Sequence, residues 1–201
     1  MVDKRDPDKR PDYKVILNLI EPNTRVLDLG CGDGSLLSLL IQKKGCRGTG
    51  VEINEEAIYK CMAKGLTVSH GNIDSGLADY SNQRFDYVIL NESLQQVIHP
   101  RIVILEALRV GKKVIVGIPN FCQIKARLQI FFLGRVPVTK ELPDQWYDTP
   151  NLRFLSLKDF RAFCKNDHLA IRKEVGIGES PLASVAPNLF AEIGIYLLEK
   201  C

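Results

Sequence analysis

Arg25-Val-Leu-Asp-Leu-Gly-Cys-Gly-Asp-Gly34 runs directly into Ser35-Leu-Leu-Ser-Leu-Leu-Ile41. The apolar run from Val26 to Leu29 ends in glycines at alternate positions, Gly30, Gly32 and Gly34, and a helical apolar pattern follows at once. This order predicts a strand, a tight turn and a helix N-terminus, which together present backbone N–H groups to a nucleotide-like ligand. Glycine suits such a turn because it reaches positive φ without strain and has no Cβ to block the ligand. Asp28 and Asp33 add two carboxylates, which repel a pyrophosphate and suit a ligand carrying ammonium and sulfonium groups. The Gly-x-Gly-x-Gly spacing also departs from the Gly-x-Gly-x-x-Gly of dinucleotide sites, which disfavours NAD and FAD.

A second apolar run, Gly48-Thr-Gly-Val-Glu-Ile53, places Glu52 eighteen residues after Gly34. An acid at the tip of a second strand accepts both hydroxyl hydrogens of a ribose. The competing reading is a structural βα turn with an ordinary surface glutamate; the order strand, glycine turn, helix, strand, acid favours a nucleoside ligand. Strands near 25–29, 47–52, 66–69, 84–90 and 112–118 then alternate with helices near 34–44, 55–64 and 100–110. Alternation of this kind predicts a parallel sheet covered by helices on both faces.

At 201 residues the chain has the size of one domain. Residues 1–10 carry seven charges and one proline and read as a mobile arm, leaving 11–201 as a single domain that opens with a short helix ending before Pro22. After Pro119 an amphipathic helix is expected, with Phe121, Ile124, Leu128, Phe131 and Phe132 on or near one face. Residues 133–153 break the alternation with Gly134, Pro137, Pro143 and Pro150. With Val136, Val138, Leu142, Trp146 and Tyr147 the segment is too apolar for a linker and reads as an irregular lid or partner-contact insertion. The alternative is that Trp146 plugs a satellite core. A helix over 157–165 and strands near 168–175 and 190–199 complete the chain.

A formal charge of +3 is too small to argue for nucleic acid, and no apolar run approaches the ~20 residues of a membrane span. Six cysteines without a Cys-x-x-Cys pair, and an N-terminus without an apolar signal region, point to reduced thiols in a cytoplasmic protein with no metal site.

Val26 to Gly34 resembles motif I of the class I S-adenosylmethionine-dependent methyltransferases. From about Pro11 to Glu174 the chain is similar to the MetW family of methionine biosynthesis proteins. The shared segments are Arg25 to Leu40, Phe85-Asp-Tyr-Val-Ile-Leu90 with Leu94 and Gln95, Ile118-Pro-Asn-Phe121, Arg135-Val-Pro-Val-Thr-Lys140 and, most specific, Trp146-Tyr-Asp-Thr-Pro-Asn151. The resemblance implies a Rossmann-like α/β fold with a mostly parallel seven-stranded sheet in the order 3-2-1-4-5-7-6. It also implies S-adenosylmethionine, or S-adenosylhomocysteine, as ligand and a homoserine O-acyltransferase as partner.

In open α/β sheets the ligand lies beyond the C-terminal strand ends where the order reverses. Four loops then meet there. The first supplies Asp28, Gly30, Cys31, Gly32, Asp33 and Gly34, and the second Glu52 and Ile53. The third, His70-Gly-Asn-Ile-Asp74, supplies Asn72 and Ile73. Methyltransferases of this class often carry Gly-Asp there, with the acid on the adenine amino group. Asn72 offers an uncharged carbonyl for the same bond, with Asp74 as the alternative. The fourth loop supplies Asn91 as a backbone or side-chain contact to the cofactor, with Glu92 and Gln95 expected to face the cavity; helix capping by Asn91 and Ser93 is the competing role.

No general base is recognisable. His70, His99 and His168 are scattered and read as loop or surface residues, and Lys125, Arg127 and Arg135 read as an anion site or, more simply, a solvated face. Methyl transfer needs chiefly an acceptor held in line with the sulfonium, so a missing base does not exclude it. The resemblance implies a cofactor-binding protein that supports homoserine acylation; the alternative is an active methyltransferase on a small molecule. Nucleic-acid methylation has little support, since no Asn-Pro-Pro-Tyr-type tetrapeptide or basic stripe is present.

Overall fold

The computed structural model of the protein describes residues 7–200. Seven strands, β1 (Arg25–Leu29), β2 (Arg47–Glu52), β3 (Thr67–His70), β4 (Phe85–Asn91), β5 (Gly111–Pro119), β6 (Leu169–Ile177) and β7 (Ile193–Lys200), form one sheet. Its order is β3-β2-β1-β4-β5-β7-β6. The first five strands are parallel, and β7 runs antiparallel between β5 and β6. The Rossmann-like methyltransferase topology is therefore present. The order reverses between β1 and β4, which puts a crevice beyond their C-terminal ends.

Side chains alternate across the sheet, so each central strand feeds two cores. On one face Leu27, Leu29, Val88, Leu90, Val114 and Val116 pack against α4 (Pro100–Val110) and α6 (Leu157–Asn166). On the other, Val26, Ile89, Ile115 and Ile195 pack against α1 (Pro11–Leu19) and α2 (Ser35–Lys44). Local sequence fixes the helix starts. Asn54 caps α3 (Glu55–Ala63) by accepting from the Ala57 N–H, and Ser156 and Asp159 form a reciprocal capping box on α6.

Several expectations change. Of the expected mobile arm, residues 1–6 lie outside the described residues, but Pro7–Lys9 is a 3-10 turn. Arg10 is anchored at 2.5 Å to Asp12 and 2.7 Å to Glu92, because its guanidinium finds two carboxylates. The helix after Pro119, α5, spans only Ile124–Leu133 and is not amphipathic. Its one buried residue is Ala126, while Leu128, Ile130, Phe131, Phe132 and Leu133 are all exposed. Phe121 lies before it and packs on Phe154 at 4.6 Å between ring centroids. The last strand begins at Ile193 because Pro187–Phe190 forms the single turn α7. Residues 134–156 form neither helix nor strand, and Trp146 is 72% exposed, so it plugs no core; Leu142 is the buried anchor. No helix among the described residues is long and apolar enough to cross a membrane.

Phe160 on α6 is almost fully buried, with its ring 4.6 Å from that of Tyr196 on β7. Phe160→Ala should cost about 3–5 kcal/mol, read as a lower urea midpoint at unchanged slope. A loss below about 1 kcal/mol would mean that α6 does not close this core.

Candidate functional site

The turn after β1 reaches left-handed backbone at Gly30, Gly32 and Gly34. Two of these glycines differ in purpose. A Cβ on Gly34 would lie 2.4 Å from Leu66 Cδ1 and 2.8 Å from Cys61 Sγ, so Gly34 lets α3 pack against the turn. A Cβ on Gly32 would meet nothing within 4 Å; it borders a cavity of about 450 Å³. Space kept clear above a bare backbone is what a ligand cradle requires. The volume falls within the roughly 300–1,000 Å³ of small-molecule sites.

Glu52, at the end of β2, is buried and binds three backbone N–H groups. Oε2 accepts from Gly32 at 2.8 Å, and Oε1 from Ile53 at 2.8 Å and Asn54 at 2.9 Å. It ties the glycine turn to the start of α3. A carboxylate has about four acceptor positions, so it retains capacity for a hydroxyl donor.

The cavity brings together Gly30, Gly32, Glu52, Ile53, Asn72 and Ile73, six of the residues expected from sequence. Asn72 Oδ1 accepts from the Asp74 N–H at 2.9 Å and caps the turn Ile73–Ser75, leaving its amide N–H₂ and a lone pair. Asp74 also lines the cavity, but both its oxygens accept from the Ile98 and His99 N–H groups at 2.9–3.0 Å. Of the two candidates for the third loop, Asn72 has the freer side chain.

Five expected residues are placed otherwise. Cys31 is buried with its sulfur against Gly50, and Gly34 serves packing. Asp33 turns away to Lys64 at 2.9 Å and Ser35 Oγ at 2.7 Å. Asn91 projects to the opposite sheet face, where Nδ2 donates to Asp12 at 2.9 Å, because every second residue of β4 points toward α1. Asp28 lies on that face too, below the cavity. Its carboxyl accepts no hydrogen bond among the described residues, and burial first, then the Glu52 charge, pushes it up to about 7. Lys125 pairs with Glu179 and Glu192, and Arg127 donates to the Cys122 carbonyl, so neither joins the cavity.

Sequence reasoning missed Arg10 and Asp12, which bring α1 to Glu92 at the cavity rim, and the apolar wall of Val97, Ile98 and Leu152. The charged pair flanking Pro11 just before an apolar helix was the available signal for the first two; the wall had none. Glu92 holds φ +57, an uncommon conformation for a residue with a side chain, and Ser93 Oγ beside it is buried without a partner. All three charged side chains lining the cavity, Glu52, Asp74 and Glu92, are acids. Such a lining favours hydroxylic or cationic groups and opposes phosphates.

A carboxyl raised in the folded state keeps a proton that the unfolded chain releases above about 3.8. Its contribution is least harmful at low pH, and stability falls as pH rises through about 7. Asp28→Asn should therefore be more stable than wild type at pH 8, with an advantage about 2–3 kcal/mol smaller at pH 5. Urea titrations of both proteins at the two pH values check this; a pH-independent difference would refute a neutral buried Asp28.

Comparison with known proteins agrees with this architecture. The family model described as methionine biosynthesis protein MetW matches residues 10–198. The bifunctional methionine biosynthesis protein MetXA/MetW of Rhodopirellula baltica is 34% identical over 173 residues, covering 82% of this chain. The chain corresponds to only 28% of that relative's length. A ubiquinone biosynthesis O-methyltransferase of Pseudomonas fluorescens is 26% identical, over 88% of this chain and 78% of its own. Among solved structures, a SAM-dependent methyltransferase from Archaeoglobus fulgidus superposes with a TM-score of 0.68 at 16% identity, covering 94% of this chain and 91% of that one. The PH0226 protein of Pyrococcus horikoshii gives 0.70 at 18% identity, covering 100% and 93%. The chain belongs to the MetW family of methionine biosynthesis proteins and has the fold of S-adenosylmethionine-dependent methyltransferases.

Proposed function

We propose that this protein binds S-adenosylmethionine, or its demethylated product, and acts in methionine biosynthesis by supporting homoserine O-acyltransferase in the cytoplasm. The observation that carries the partner is the Rhodopirellula relative, whose name joins a MetXA and a MetW activity in one chain. The ligand reading is supported by the open backbone at Gly32, the buried acceptor Glu52 and a lining whose charges are all acidic. In this reading Glu52 takes the ribose hydroxyls, Asn72 and Ile73 flank the adenine, and Gly30 and Gly32 underlie the methionine portion. When bound, the cofactor supplies a methyl group activated on a sulfonium. The acids lining the cavity, Glu52, Asp74 and Glu92, favour such a cation over NAD.

A second reading, an active methyltransferase on a small molecule, is favoured by the similarity to ubiquinone biosynthesis O-methyltransferases. Among the described residues the cavity lining has no cationic side chain or histidine to orient or activate an acceptor, which weighs toward the supporting role.

Calorimetric titration tests the ligand. S-adenosylmethionine and S-adenosylhomocysteine should bind one site per chain, NAD should not, and Glu52→Ala should cost about 1.5–3 kcal/mol. Tight NAD binding, or unchanged affinity in the variant, would overturn the assignment. The partner is tested by mixing the protein with homoserine acyltransferase of the same organism and assaying acyl transfer. If the two do not associate, the methyltransferase reading takes first place.

A further inference from the structure

Outside the cavity lies an apolar surface that the described residues leave exposed. α5 buries only Ala126, yet it carries Leu128, Ile130, Phe131, Phe132 and Leu133. Seven of its ten side chains are apolar, a composition more usual for a covered helix than for one facing water. Phe131 is 80% exposed and Phe132 71%, stacked edge-on at 4.9 Å. The following segment adds Val136, and then Trp146 and Tyr147, edge-on at 5.6 Å and 72% and 66% exposed. Val136 and Trp146 line one groove. At about 150–250 Å² per ring, these four aromatics leave on the order of 600 Å² uncovered. That reaches the upper limit for a free monomer and approaches the roughly 800 Å² per partner of a stable complex.

The segment is held in place. Gln129 on α5 exchanges two hydrogen bonds of 3.0 Å with the Val138 backbone, and Leu142 is buried beneath. At its far end the Leu152 and Arg153 N–H groups donate to the Gln95 carbonyl at 2.9 and 3.0 Å, and Leu152 lines the cavity. Pre-ordered aromatics on a fixed loop are the usual anchors of protein interfaces.

We infer that the face formed by Phe131, Phe132, Leu133, Val136, Trp146 and Tyr147 is the surface on which homoserine acyltransferase docks. This rests on the proposed function and deepens it by locating the contact. The occupant is argued from the relative that joins the two activities in one chain, which gives this unit a constant neighbour of that kind, and from the extent of uncovered area. A membrane is a poor occupant, since the two basic side chains of α5 are engaged within the protein, Lys125 by Glu179 and Glu192 and Arg127 by the Cys122 carbonyl.

The test uses the full chain and the acyltransferase of the same organism, with light scattering to read mass and calorimetry to read affinity. Phe131→Ser with Phe132→Ser, and separately Trp146→Ala, should each weaken the complex by about 30-fold or more. Tyr59→Ser, at an exposed ring on α3, should leave it unchanged. Each variant alone should keep wild-type melting and S-adenosylhomocysteine binding, since the altered side chains are exposed and lie outside the cavity. If wild type binds the acyltransferase and the variants bind equally well, the surface is wrong while the partnership stands. If wild type alone is a dimer that the same variants dissociate, the face belongs to a second copy and the inference falls. If wild type and acyltransferase never associate, the proposed function falls, and this inference with it.

Discussion

Three backbone N–H groups converge on the Glu52 carboxylate, and the site depends on that convergence. Gly32 approaches from the turn after β1, and Ile53 and Asn54 from the entry to α3. A buried carboxylate without partners is costly, and three donors of this kind stabilise the charged form. The same bonds fix the distance between the tips of two parallel strands and hold the floor of the cavity open. Gly32 donates to Glu52 from left-handed backbone at φ +55, which a side chain would strain, while its other side faces open space. One side chain therefore organises the cradle and remains its principal acceptor.

The acids around the cavity are made tolerable in different ways. Asp74 is neutralised by donors from the loop before α4, and Glu92 by Arg10. Burial opposes the Arg10 charge, but the hydrogen bond to Asp12 and the neighbouring carboxylates outweigh it and hold it above its ordinary value. Asp28 has no such partner among the described residues, so it stays protonated to about pH 7. On the proposed function, a sulfonium and ammonium placed above it would draw that proton off, and binding near neutral pH would release protons. The sign of that linkage is fixed by which carboxyl lacks donors, something a count of acids in the motif does not reveal.

The alternation of strands and helices was legible because parallel strands buried on both faces read as short apolar runs, and each is bounded by glycine, proline or a capping residue. The turn at Gly30 to Gly34 and the acid Glu52 were legible for the same local reason. The side-chain directions of Asn91 and Asp33 were not legible, because motif position does not say which way a side chain turns. The two-residue period of β4 sends Asn91 to the α1 face, and Lys64, far along the chain, captures Asp33. The roles of Arg10 and Asp12 were hidden because a charged start reads as solvated until its partner at Glu92 is known. α5 was misread because its apolar residues match a buried stripe in spacing, and only the fold shows that the described residues leave them exposed.

Segment 134–153 connects the two surfaces that the proposed function needs. One end is clasped to α5 through Gln129, beneath the exposed aromatics, and the other ends at Leu152 in the cavity wall. Proximity alone does not couple two sites; a ligand shifts an association only if it binds the free and partnered forms with different affinity. The segment is irregular, and it is fixed at its ends and at the buried Leu142. The Leu152 N–H, held by the Gln95 carbonyl, stands only six residues after Trp146 along the chain. By reciprocity, a partner gripping Trp146 would change ligand affinity by the same factor, and a tenfold effect requires only ~1.4 kcal/mol of difference between the two states. That is comparable to one or two hydrogen bonds of the kind that hold the segment's ends.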